Sequence, residues 1–388
     1  MSGVAPLSLR LLADDLTGAL DSAAAFGAGV PVYLDQPFAN QPTSELSEFC
    51  ESAVVSVVAT ATRDIAPDTL PTTLAACTAW LRDAALAFKK VDSLLRGNTL
   101  DEVRWLASAC GFARVIMAPA FPAQGRYMLH DHLAVAPAGQ RPEALHVRGD
   151  NVRTALQNSA WPAACELVLP QILNDADLDR LCAQYFQSGE HTLWCGSAGL
   201  AAALARQSAI ANALKVALPE RPAVPGLAAG TDKFWVIGAS HQAATQRQWA
   251  RAMAAYPQAL TVRGGDAQEL HEVTKALHGG AVGPALINLS PGTRLSAAEA
   301  TDLLHAQVSE LTQGTAAPAR VLVIGGDTVR ALAISTGVQY MVSGIPARAG
   351  WGRAQWRGGR WDGVWMDCRS GAFGDDGDLL AAIAAVAA

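Results

Sequence analysis

Short, unbroken apolar runs recur along this chain, with alanine-rich segments of helical length between them. SLRLLA, PVYL, SAVVSVVAT, AFKKV and ARVIMAPA read as buried strands, and TGALDSAAAFGAG, TLPTTLAACTAWLRDAALA and DEVRWLASACG as the helices that separate them. Strands that are apolar throughout belong to a sheet covered on both faces. Strand–helix alternation makes such a sheet parallel and doubly wound. At 388 residues the chain is long enough for two cores. The fold class expected is therefore α/β, with two domains, each on a mostly parallel doubly wound sheet.

The boundary falls where periodicity is lost. VALPERPAVPGLAAGTD (216–232) is rich in proline, glycine and alanine and reads as a linker. It sets the domains at 1–220 and 221–388. Beyond it the α/β pattern resumes in KFWVIGASHQAATQRQWARAMAAY, ALTVRGG, PALINLS, ARVLVIGGDTVRALAISTG and GVWMDCRSGAFGDDGDLLAAIAAV.

Several function classes are excluded. The net charge is -6, so no broad basic surface for nucleic acid is expected. No apolar stretch reaches the roughly 18 residues of a membrane span, and the first residues lack the pattern of a signal peptide. A soluble cytoplasmic protein is expected. The seven cysteines include no C-x-x-C pair and read as buried reduced thiols rather than zinc ligands or disulfides. No P-loop, G-x-G-x-x-G fingerprint or H-E-x-x-H motif is present. Gly196-Ser197-Ala198-Gly199 does not fit a nucleophile elbow, and Ser197 reads as the start of a closely packed helix. His130 and His132 are spaced poorly for a metal, and no metal site is expected. Trp351, Trp356, Trp361 and Trp365 alternate with arginines in a segment that reads as hairpin strands or an oligomer contact, which leaves a homodimer possible.

Ligands of open α/β sheets gather at the carboxyl ends of the strands. Polar clusters fall at those ends: ADDLTGALD (13–21), TATRD (60–64), KKVDSLLRGN (89–98) and APAFPAQGR (118–126). If the strands lie side by side, Asp14, Asp15, Arg63, Lys90, Asp92, Arg96 and Arg126 share one edge. The chain has five lysines, and two of them are adjacent here.

Glycines follow strands in the second half. In VLVIGGDTVRAL, Gly325-Gly326 precede Asp327 and Thr328 at a helix start. Glycine admits close backbone approach, and the first helical turn offers free N–H groups, a combination suited to phosphate. WVIGASHQAAT, with Gly238 and Ser240, and SGAFG (370–374) have the same layout.

ADDLTGALD, KKVDSLLRGN, APAFPAQGR, IGGDT and SGAFG, in this order, resemble the four-carbon acid sugar kinases, once catalogued as a domain of unknown function. The resemblance spans nearly the whole chain. It implies an ATP-dependent, magnesium-assisted kinase acting on the terminal hydroxyl of D-threonate or D-erythronate, with 3-oxo-tetronate as an alternative acceptor. It further implies an acid-sugar domain at the N-terminus, a nucleotide domain at the C-terminus and an active site in the cleft between domains. A non-catalytic acid-sugar or nucleotide binder is the alternative from another class.

Within that frame Arg63 and Arg96 suit a carboxylate, Asp14 and Asp15 suit hydroxyls, and Ser93 suits either. Lys90 would hold the substrate carboxylate or the transferring phosphoryl group. Asp15 or Asp92 would take the hydroxyl proton, with Asp15 preferred; each could instead cap a helix or pair with a neighbouring cation. The resemblance places Ser240, Gly325, Gly326, Asp327, Thr328, Ser370 and Gly371 near ATP. Leu94 stands where the family has threonine, Arg369 where it has lysine, and YMLHDHLAV where it has a glycine-containing turn. The segment between 126 and 165 looks trimmed.

Overall fold

The computed structural model describes residues 8–34, 53–136, 146–157, 161–217, 234–281, 283–293, 295–346, 348, 350–371 and 374–387. The chain divides into two compact units, Met1–Arg221 and Pro222–Ala388. The linker candidate lies almost entirely outside the described residues, as do Ala372, Phe373, Cys50 and parts of the 126–165 segment.

The first unit is built on β1 (Leu9–Ala13), β2 (Pro31–Leu34), β3 (Val55–Ala59), β4 (Leu86–Lys90), β5 (Arg114–Ala118), β9 (Glu166–Val168) and β10 (Thr192–Gly196). Their order is β2-β3-β1-β4-β10-β5-β9, and the pairs are parallel. β1, β3, β4, β5 and β10 are buried throughout, the burial expected of strands covered on both faces. Strands β6 (Arg126–Leu129), β7 (His132–Val135) and β8 (His146–Arg148) form a separate antiparallel sheet. YMLHDHLAV is thus a hairpin, and His130 and Asp131 turn it in the left-handed region at φ 49° and 62°.

The helix expected over TLPTTLAACTAWLRDAALA is shorter than the sequence suggested. It splits into Leu70–Ala75 and Thr78–Arg82, and its last residues belong to β4. An alanine-rich stretch carries no stop signal, whereas the sheet buries Leu86, Ala87 and Phe88. Tertiary packing decides the boundary against local propensity.

In the second unit β11 (Phe234–Gly238), β12 (Leu260–Val262), β13 (Ala285–Asn288), β14 (Arg320–Ile324) and β17 (Trp365–Arg369) run parallel in the order β12-β13-β11-β14-β17. β16 (Gly352–Arg357) and β15 (Tyr340–Gly344) extend the sheet antiparallel. Each unit therefore carries a parallel core sheet, and the mixed α/β class is as expected. The four tryptophans of the 351–365 segment are buried. Trp351 packs with Trp249, Leu379 and Ile383, and Trp356 and Trp361 meet at 5.6 Å. Their rings pack inside the fold, so these four side chains are not exposed for bases to stack on. Among the described residues no helix is long and apolar enough to cross a membrane.

Candidate functional site

Strand register brings the first cluster together. Ala13 pairs with Ala59 on one side and with Lys90 on the other. The segments that follow β1, β3 and β4 therefore leave the sheet edge at the same level. β1 also lies where the chain reverses its direction of winding, with β3 on one side and β4 on the other, and such a point opens a crevice at the carboxyl ends.

Three cations and three carboxylates interlock there. Arg63 donates to Asp14 through Nε at 2.8 Å and Nη2 at 3.1 Å, and to Asp15 through Nη2 at 2.7 Å. Arg96 grips Asp92 with Nε at 2.8 Å and Nη2 at 2.7 Å. Arg63 Nη2 lies 4.0 Å from Asp92, and Lys90 Nζ lies 3.9 Å from Asp15. Five of the six side chains are largely buried, and Arg96 is 40% exposed. Ser93 is buried nearby, and no described residue hydrogen-bonds its hydroxyl.

The loops are shaped for this. Asp15 caps the Leu16–Phe26 helix, accepting from Gly18 N at 3.2 Å and from the Thr17 hydroxyl at 2.6 Å. Asp92 also accepts from the amides of Leu94 and Arg96, both at 3.1 Å. Asn98 ties the second loop to the third, donating to the carbonyls of Thr62 and Ile65. Gly97 sits at φ 63° with a Cβ position that would overlap the Arg63 carbonyl, so only glycine lets the two loops approach. Ala61 and Leu95 hold positive φ of 52° and 56°, strain of the kind that collects at ligand sites.

Electrostatics separates the carboxylates. Burial would raise the Asp15 carboxyl, but Arg63, Lys90 and the Thr17 hydroxyl outweigh it and hold it at about 2. Asp92 is desolvated too, yet the Arg96 hydrogen bonds and the charges of Arg63, Arg96 and Lys90 keep it well below the usual carboxylate range. Both expected bases thus have most of their lone pairs committed to protein donors. Arg63 and Arg96 are likewise occupied by aspartates, each retaining one Nη1 without an acceptor among the described residues. Lys90 is the cation with the fewest bonds: its ammonium rests against Gly18, where a Cβ would overlap it.

The sequence reading did not single out Gly18 or Asp21. Asp21 lies on the helix that Asp15 caps and is partly exposed. Burial pushes its carboxyl up to about 7, with Lys90 opposing and Asp15 adding to the rise. The signal was present in the spacing: Asp15, Gly18 and Asp21 recur every three residues from a helix start, so they neighbour one another on its surface. Arg126 stands apart from these bonds, in β6.

The second unit repeats the logic of register. Gly238 pairs with Ile324, and Ile324 with Arg369, so the segments after β11, β14 and β17 emerge together. Gly325, at φ 102°, occupies the N-cap of the Gly326–Thr336 helix, and no side chain caps it. Thr328 is buried in the first turn and Asp327 is exposed. Thr245 donates to the Gly371 carbonyl at 2.6 Å, and a Cβ at Gly371 would overlap the Ser240 hydroxyl. The Gly325 amide donates to the Arg369 carbonyl at 2.9 Å, which ties the loop after β14 to the end of β17. Ser240, Gly325 and Ser370-Gly371 thus form a cradle of small residues beside the start of the Gly326–Thr336 helix, chemistry that fits a phosphate chain. Arg369 is buried beneath it. It donates to the Ser370 carbonyl and to Gln248, and its Nε lies 3.1 Å from Asp378. It braces the loop from below. Among the described residues no group of three or more His, Cys, Asp or Glu is arranged to hold a metal ion.

Residues 9–147 match the family model of a sugar-binding N-terminal domain. A D-threonate kinase of Bordetella bronchiseptica is 28% identical over 97% of this chain and 97% of its own length. A D-threonate kinase of Cupriavidus necator is 26% identical over 86% of each. A solved protein of Salmonella typhimurium LT2, provisionally described as a tRNA synthase, has a TM-score of 0.68 at 20% identity, covering 97% of this chain and 98% of that one. That likeness is one of fold.

Proposed function

We propose that this chain, whose curated relatives support its membership of the four-carbon acid sugar kinases, is an ATP-dependent kinase of the cytoplasm that phosphorylates the terminal hydroxyl of D-threonate or D-erythronate. The observation that carries the reading is the cluster of Asp14, Asp15, Arg63, Lys90, Asp92 and Arg96 at one sheet edge, within the stretch that matches a sugar-binding domain.

The chemistry suits such an acid. Lys90 and the Nη1 groups of Arg63 and Arg96, which have no acceptor among the described residues, offer cationic donors to its carboxylate, and Ser93 offers a hydroxyl. The aspartates orient those cations and accept from substrate hydroxyls. Phosphoryl transfer asks mainly for positioning and charge neutralisation. In the second unit, the amides that follow Gly325, with Ser240, Thr328 and Ser370-Gly371, would take the nucleotide phosphates. Magnesium would accompany them, neutralising charge between phosphates. Cys77, Cys110, Cys165, Cys182, Cys195 and Cys368 are buried and in no disulfide among the described residues, which suits a reducing compartment.

The test is ADP release from ATP and magnesium against a panel of D-threonate, D-erythronate, their enantiomers and 3-oxo-tetronate. Release that requires one of these acids supports the reading, and phosphorus NMR of the product identifies the phosphorylated hydroxyl. ADP formation no greater than the acid-free background across the panel defeats it.

A further inference from the structure

Asp21 differs from the other carboxylates around Lys90. Asp14 takes two bonds from Arg63, Asp15 is held by Arg63, Thr17 and Gly18, and Asp92 by Arg96 and two amides. Asp21 takes no hydrogen bond or ion pair from any described residue, and it keeps partial exposure. It stands three residues beyond Gly18, the point where the Lys90 ammonium rests against the helix. Arg63, Lys90 and Arg96 balance Asp14, Asp15 and Asp92 in charge, so an ionised Asp21 is a negative charge with no cation of its own.

We propose that Asp21 is the proton acceptor of the transfer, working beside Lys90 and reaching the acceptor hydroxyl directly or across one water. The inference rests on the kinase reading above. As the acceptor oxygen bonds to the γ-phosphorus of ATP, the bond from that phosphorus to the β–γ bridging oxygen breaks, and ADP leaves with the electron pair. The hydroxyl proton passes to Asp21 and from there to solvent.

The protonation states agree with this. A carboxyl that titrates near 7 is partly ionised at neutral pH and still binds a proton well, the compromise an acid–base group needs. Asp15, at about 2, and Asp92, lower still, bind one weakly. Charged groups on the other elements packed against this helix are engaged elsewhere. Arg10 of β1 donates to the carbonyls of Leu9 and Ala53, and Lys89 of β4 pairs with Glu102. β2, β3 and the Ala198–Ala205 helix carry no charged residue, and the buried Tyr33 of β2 is their only titratable group.

The experiment pairs two measurements on the full chain. The first follows the aspartate carboxyl carbons by NMR against pH without ligand, with Asp21→Asn assigning the resonance. The second records kcat and KM against pH, for the acid that is turned over, in the native chain, Asp21→Asn and Asp21→Glu. We expect the Asp21 resonance to titrate near 7 and kcat to rise over the same range. Asp21→Asn should lower kcat by about 10²–10⁴-fold with little change in KM and a flat profile, and Asp21→Glu should recover part of the loss. A resonance titrating near the ordinary aspartate value of about 4, or an Asp21→Asn enzyme that keeps both its kcat and its pH limb, overturns the inference while leaving the kinase reading intact. A native chain that turns over none of the acids overturns the kinase reading and this role together.

Discussion

Lys89 Nζ lies 2.6 Å from Glu102 Oε2, and both side chains are wholly buried. Lys90, the next residue, turns to the opposite face of β4 and meets Gly18 and Asp15, as successive strand residues must. The adjacent lysines therefore do different work, one inside the fold and one at the site. Removing one partner of a buried ion pair strands the other charge and costs about 3–5 kcal/mol. Lys89→Met and Glu102→Leu should each lower stability by that order in denaturant unfolding. The double variant should recover most of it, because an apolar pair leaves no charge in the core.

Lys90→Met makes the contrasting prediction. Its amine balances Asp15 only at 3.9 Å, so the fold should tolerate its loss. Catalysis should not, since it is the least engaged cation of the cluster. We expect kcat/KM for the acid sugar to fall by at least about 10²-fold, with a thermal midpoint shifted much less than in Lys89→Met. Coupled ADP-release kinetics and thermal unfolding on the same preparations separate the two lysines.

The edge at which ligands would gather was legible in the sequence because each of ADDLTGALD, TATRD and KKVDSLLRGN follows an apolar run, and parallel sheets align strand ends. The pairing was not legible. Which cation meets which carboxylate depends on register and loop closure: on Asn98 bridging to Thr62 and Ile65, and on Gly97 admitting the Arg63 carbonyl. Lys89 and Lys90 look alike in a string of letters, and only the pleat separates them. What sets Asp21 apart had no legible signature, because it is the lack of a donor among the described residues, and a sequence reports residues and not their partners. Arg369, which stands where the kinases it resembles have lysine, is a buried brace for the loop above it.

Gly18→Ala should set stability against activity. Glycine inside a helix costs about 0.5–1 kcal/mol relative to alanine. Here an added Cβ would overlap Lys90 Nζ and Asp15 Oδ1 and lie 2.9 Å from Lys90 Cε. The lysine end is flexible and can move aside, so unfolding free energy should change by no more than about 1 kcal/mol in either direction. The displaced ammonium should lower kcat/KM by about tenfold or more, by the steep dependence of catalysis on placement. Unchanged kinetics would show that the position of Lys90 against the helix does not matter.

Asp15 predicts a pH dependence with a definite sign. Its folded-state value of about 2 lies below its ordinary one, so the unfolded chain binds the proton more tightly. The stability it contributes is present above about pH 4 and is lost as pH falls toward 2. Asp15→Asn should therefore destabilise the protein at pH 7, and the difference from the native chain should shrink steadily as pH drops through that window. Unfolding measured at a series of pH values checks it. A difference that stays constant with pH would mean that Asp15 acts only as a helix cap, a role asparagine fills nearly as well.

Gly371→Ala tests the nucleotide cradle without touching the acid-sugar residues. The new Cβ would overlap the Ser240 hydroxyl and lie 2.7 Å from Ser240 Cβ, so the segments after β11 and β17 must part. Gly371 also presents its carbonyl to Thr245, a bond that holds the loop in place. Widening the cradle moves the amides that would grasp phosphate, and each weakened charge-assisted hydrogen bond costs about 1.5–3 kcal/mol. Affinity for an ATP analogue, measured by calorimetry, should therefore fall by about tenfold or more, while binding of the acid sugar alone should be unchanged. If acid-sugar binding fell and analogue binding held, the assignment of ligands to the two units would have to be reversed.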